Sequence, residues 1–144
     1  MSRVVMFSDG ASRHNQDASQ RVGGWAVLLT LVDEAGKLDE RPSATKELSG
    51  QVRGATNNQM ELEAVRQGLL ALKREGLQVT IMTDSAYVIG VLSRHWKPQQ
   101  NKALIAEVKG LLAKHQVSFE KVTGHSGHGM NERADALAVS ASHA

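Results

Sequence analysis

Residues 79–88 read VTIMTDSAYV, and this stretch decides how the chain is organised. Val79–Thr83 is a short run rich in β-branched residues that predicts a strand, Asp84 ends it, and a short helix follows over Ser85–Arg94. A similar run opens the chain, where Val4–Phe7, VVMF, stops before Asp9 and Gly10 and reads as a strand buried on both faces. Should the two strands lie side by side and parallel, both acids emerge at the carboxyl end of the sheet, where open α/β folds place their sites. Neighbouring strands are ~5 Å apart, close enough for one cation to bridge the two side chains.

Working outward, Trp25–Val32 (WAVLLTLV) predicts a second strand, Glu34–Lys37 (EAGK) a turn, and Thr45–Gln51 a third strand. Helical periodicity runs over Asn58–Glu75, with Gly76 as its C-cap. Ala103–His115 predicts a further helix, Val117–Val122 a fifth strand and Asn131–Ser142 a final helix. Three strands able to form a meander, followed by alternating helices and strands, give an α/β mixed sheet of five strands with helices on its faces. We expect one domain spanning residues 1–144, with SRHWKPQQNK, Ser93–Lys102, as its exposed connection.

The composition excludes several chemistries. There are no cysteines, hence no disulfides, thiolate nucleophiles or Cys-ligated zinc. The opening MSRVVMFSDG holds four consecutive apolar residues, short of the roughly 7 that a signal-peptide core needs, and no apolar run approaches a membrane span. The expectation is a soluble, cytoplasmic protein with no membrane partner. A formal net charge of +2 and a pI near 9.1 permit nucleic-acid binding without arguing for it.

Four acids stand out. Asp9 precedes a glycine and alone reads as a hairpin turn; Asp84 precedes a helix and alone reads as an N-cap. Glu61 is different. At 100° per residue it falls within the stripe of Met60, Ala64, Val65, Gly68, Leu69, Ala71 and Leu72, while Glu63 falls opposite, near Arg66, Gln67 and Arg74. A carboxylate facing the core must be protonated or paired. A capping box with Asn58 as N-cap and Glu61 at N3 also fits the spacing, but leaves the inward direction unexplained. Asp135 lies in an alanine-rich helix whose faces are too alike to orient it. Together the four offer the hard oxygen cage that magnesium or manganese prefers. Zinc fits less well, since HSGH presents its two histidines across a Gly-containing segment rather than a helix turn.

The segments FSDGAS (7–12), TNNQMELEA (56–64), TDSAYV (83–88) and GHSGHGMNERADALA (124–138), in that order, resemble type 1 ribonuclease H, over nearly the whole chain. The resemblance implies a five-stranded mixed sheet and a monomeric enzyme that cuts the RNA strand of RNA/DNA hybrids. It implies that Asp9, Glu61, Asp84 and Asp135 hold two Mg2+ ions, with Mn2+ as a substitute, around the scissile phosphate. One ion activates water and the other stabilises the leaving 3′ oxygen, giving 5′-phosphate and 3′-hydroxyl products. His125 matches the family's mobile catalytic histidine, His128 a structural position, and Glu132 one that assists metal or product handling. Asn15, Thr56, Asn57, Asn58 and Ser85 match polar positions that contact the hybrid, where 2′-hydroxyls distinguish RNA from DNA.

Three departures accompany the match. Ala86 stands where related enzymes often have a glutamine that touches substrate. SRHWKPQQNK is much shorter than the family's lysine- and tryptophan-rich protrusion, leaving Trp96 with Arg94, Lys97 and Lys102 as its remnant. NQDASQRVGG, residues 15–24, replaces a Pro/Gly-rich turn. A nuclease of the same fold acting on double-stranded RNA or on DNA, and a hybrid-binding module without turnover, are the alternatives; the intact carboxylate set argues against the second.

Overall fold

The computed structural model describes residues 3–32, 45–122 and 129–144. In chain order the elements are β1 (Arg3–Arg13), β2 (Val22–Val32), β3 (Thr45–Arg53), α1 (Asn57–Leu70), β4 (Gln78–Thr83), α2 (Ala86–Ser93), α3 (Lys102–Leu112), β5 (Gln116–Lys121) and α4 (Gly129–Ser142). The strands form one sheet in the order β3-β2-β1-β4-β5. The first three make an antiparallel meander, while β1 runs parallel to β4 and β4 to β5. The expected mixed α/β sheet is thus present, with β1 at its centre.

Alternation along β1 divides the core. Val4 and Met6 join Val27, Leu62, Val65, Ile81 and Val88 in the layer beneath α1 and α2. Val5 and Phe7 face the other way, against Leu28, Val32 and Ala134 of α4. A central strand covered on both faces reads as the unbroken apolar run VVMF. Among the described residues no helix is long and apolar enough to cross a membrane.

Three boundaries differ from expectation, each for a local reason. Strand β1 does not turn at Asp9–Gly10 but continues to Arg13, with Asp9 opposite Ala26 and Gly10 opposite Trp25. Helix α1 is capped by Thr56, whose side chain accepts from the Gln59 N–H at 3.1 Å, so Asn58 lies inside the helix and no Asn58–Glu61 capping box exists. The same helix stops at Leu70 rather than Glu75. The Ala71 N–H bonds the Gln67 and Gly68 carbonyls and the Leu72 N–H the Leu69 carbonyl, tightening the last turn. Gly76 is no C-cap; at φ +73 it donates its N–H to the Lys114 carbonyl at 2.7 Å, pinning the entry to β4. The expected turn at Glu34–Lys37 lies outside the described residues.

Candidate active site

The register of β1 on β4 sets two acids side by side. Val4 pairs with Val79 and Phe7 with Met82, and the same offset carried two residues further brings Asp9 level with Asp84. Ser85, not Asp84, caps α2: its Oγ accepts from the Val88 N–H at 3.1 Å. Asp84 is therefore not consumed by capping.

Glu61 arrives from α1, on the buried face with Met60, Leu62, Ala64 and Val65, as its place in the apolar stripe requires. Glu63 points elsewhere and pairs with Arg66 at 2.9 Å. The approach of α1 to β1 depends on Gly10, because a Cβ there would run into the backbone of Met60 and Glu61. The missing side chain lets Glu61 come down beside Asp9.

Carboxylate oxygens of Asp9, Glu61 and Asp84 consequently lie within 4.8 Å of one another. Asp9 is 4 % and Glu61 5 % exposed; Asp84 is half-buried. Burial pushes the Asp9 carboxyl from 3.8 up to about 7; the charge of Asp84 and a hydrogen bond with Asp135 add to the rise, while a hydrogen bond with Glu61 and the Gly10 N–H work against it. Burial, followed by the charge and hydrogen bond of Asp9, holds Glu61 well above the ordinary carboxylate range. Asp84 is also raised, first by burial and then by the charge of Asp135, against its own backbone N–H and the charge of Lys121. Crowded, dehydrated carboxylates resist ionising together. Asp135, on an exposed position of α4, is close enough to bond Asp9 and for its charge to act on Asp84.

The donors suit a hard divalent ion. Among the described residues Glu61 Oε2 is buried without a hydrogen-bond partner, which a carboxylate oxygen tolerates poorly unless a cation is to meet it. Among the described residues the donor atoms brought together are all oxygens, the set magnesium and manganese accept.

A family model described as RNase H matches residues 1–143. The chain belongs to the ribonuclease H family. A ribonuclease H from Nitratidesulfovibrio vulgaris is 38% identical, over 94% of this chain and 86% of that protein. One from Neisseria gonorrhoeae is 40% identical, over 94% and 92%. The crystal structure of RNase H1 from the halophilic archaeon Halobacterium salinarum NRC-1 superposes with a TM-score of 0.70 at 29% identity, covering 96% of both chains.

Against this ribonuclease H frame the remaining expected residues separate into groups. Asn15, Thr56, Asn57 and Asn58 meet at the start of α1, where Asn15 Oδ1 accepts from the Asn57 N–H at 2.8 Å and Asn57 and Asn58 are exposed. Ser85 stands next to Asp84 at the start of α2. Trp96 is at the far end of α2, 48% exposed, with its indole against Gly90. His125 and His128 lie outside the described residues; Glu132 is exposed in the first turn of α4. Sequence reasoning missed Lys121. It pairs with Thr83 across the β4–β5 ladder, and its charge reaches Asp84. Nothing in the short strand Gln116–Lys121 marks that residue beforehand, because only the register aims it at the site.

Proposed function

We propose that this chain hydrolyses the RNA strand of RNA/DNA hybrids as an endonuclease, with Asp9, Glu61, Asp84 and Asp135 holding two Mg2+ ions that Mn2+ can replace. Membership of the ribonuclease H family supports the reaction class. The observation that carries the site is the Oε2 of buried Glu61, unpartnered among the described residues, beside the oxygens of Asp9 and Asp84. Bound there, the ions would activate the attacking water and stabilise the leaving 3′ oxygen, an in-line displacement that leaves a 5′ phosphate.

The chain's own contribution is placement. Gly10 donates its N–H to Asp9 Oδ1 at 2.9 Å and so fixes the orientation of the central carboxylate. Asn57, Asn58 and Asn15 present amides at the start of α1, where hydrogen bonds to 2′-hydroxyls would select RNA. His125, assigned by its motif, would move a proton at the reacting phosphate.

The test uses labelled RNA/DNA, RNA/RNA and DNA/DNA duplexes with magnesium, manganese or EDTA. Cleavage confined to the RNA of the hybrid, and to reactions with metal, is expected. Turnover in EDTA, or preference for either other duplex, overturns the reading.

A further inference from the structure

The turn between β1 and β2 and the end of β3 enclose a recess of about 380 Å³ lined by Arg13, His14, Gln20, Arg21, Arg53 and Gly54, among others. Three arginines far apart in sequence are gathered there by register, since Arg13 pairs with Val22 and Val22 with Arg53. Two are aimed by backbone carbonyls: Arg13 Nε donates to Ser142 O at 2.8 Å, and Arg21 Nε to Gly54 O at 3.1 Å. Arg53 is exposed. Among the described residues none of the three is paired with a carboxylate, although the charge of Asp17 interacts with His14 and Arg21. A guanidinium offers five N–H donors in a fixed fork suited to phosphate oxygens, and most of these remain available here.

The recess is joined to the substrate side of the molecule. Arg21 also donates to the Asn15 carbonyl at 3.4 Å, and the Asn15 side chain holds the first residue of α1. Two independent paths measure its distance from the acidic site. Arg13 lies four residues beyond Asp9 on the same face of β1, ~13 Å along a strand. On α4, Ser142, which holds Arg13, lies two turns from Asp135, which bonds Asp9, or ~10 Å along a helix. Phosphates recur every ~3.4 Å of duplex axis on each strand. A duplex placed for cutting at Asp9 therefore carries others within reach of the arginines.

We propose that Arg13, Arg21 and Arg53, with His14, form a second anchoring point for the hybrid, gripping its phosphodiester backbone a few base steps from the bond to be cut. The inference rests on a nucleic-acid duplex being the substrate. It gives the loop Asn15–Arg21 a purpose and offsets the shortened basic segment at Ser93–Lys102.

The experiment compares the parent protein with Arg53→Gln, Arg21→Gln/Arg53→Gln and a distant control, Arg74→Gln, exposed beyond the end of α1. Hybrid binding is measured in EDTA over a range of salt, and kcat and KM in magnesium. The plot of log K against log salt should flatten by about one for Arg53→Gln and about two for the double variant, with no change in the control. The activity loss should sit in KM rather than kcat. Slopes equal to the parent's overturn the proposal. Arg53 makes no hydrogen bond among the described residues, so its single variant still decides the matter should the double variant melt early. Were the protein to cut a different duplex, the function proposed above would fail visibly, and the same slopes on that duplex would still judge the arginines.

Discussion

At Asp9, strand β1 is covered on both faces and its carboxylate is 4 % exposed; at Arg13 the same strand is half-buried, and His14 beyond it stands in solvent. The two ends are charged with opposite sign and secured in opposite ways. The acids are packed against one another in a buried pocket, where burial first, and then the charge of Asp84 on Asp9 and of Asp9 on Glu61, raises their affinity for protons. The arginines lie at or beside three strand ends, Arg13 and Arg21 held by backbone carbonyls and Arg53 exposed. Burial strengthens interaction among charges and makes an uncompensated charge costly. Substitutions at the acidic end should therefore have large effects on chemistry and stability, and those at the basic end small effects on both but a clear effect on salt dependence.

The largest effect should come from Asp84→Asn, which keeps size but removes an anionic oxygen. Cleavage of hybrid in magnesium should fall at least about a hundredfold, comparable with loss of a major electrostatic contributor. A steady-state assay showing undiminished turnover would erase the functional difference between the two ends. Next comes Gly10→Ala. Its Cβ must displace the backbone of Met60 and Glu61, at a cost of about 1–3 kcal/mol, seen as a lower urea midpoint. An unchanged midpoint would mean that α1 is not held down at Gly10.

Asp9→Asn should act in the opposite direction on stability. The folded carboxyl titrates at about 7 against an ordinary 3.8, so the folded state binds the proton more tightly than the unfolded chain. Its contribution to stability falls as pH rises from about 4 to about 7. Removing that acid should raise Tm in EDTA at pH 7.5, by about 1–3 kcal/mol of stability, while abolishing most activity. The gain should shrink as pH is lowered towards 4, where the unfolded chain's carboxyl also begins to take up its proton. A lower Tm in EDTA at pH 7.5 would make Asp9 a structural residue. Smallest of all, Arg53→Gln at the exposed end should leave Tm within about a degree of the parent, as surface changes usually do; a larger drop would mean that the recess supports the fold.

The acidic end was largely legible in the sequence and the basic end was not. Glu61 betrays itself because helical periodicity places an acid among apolar neighbours, and VTIMT followed by Asp84 locates a strand end. The lengths of β1 and α1 were misjudged. An Asp-Gly pair looks like a turn, and the periodicity through Leu72 hides a stop made by backbone hydrogen bonds. Arg13, Arg21 and Arg53 carry no pattern at all. Their meeting is a product of register between β1, β2 and β3, which no single segment encodes. His125 is assigned only through its motif and lies outside the described residues.

The parallel join of β1 to β4 also bears on the order in which the molecule is made. The hairpin of β1 and β2 closes through a nearby turn, whereas Val4 must find Val79, and contacts between residues so distant in sequence cost more loop-closure entropy and form more slowly. Asp9 and Asp84 thus come together only when that join is complete. On the proposed assignment magnesium would need both, and would have little to bind in a half-folded chain. It should act on the unfolding limb of a chevron plot, slowing escape from the native state while leaving the folding limb nearly where it was. A bound ion would then set the lifetime of the folded molecule more than the speed of reaching it.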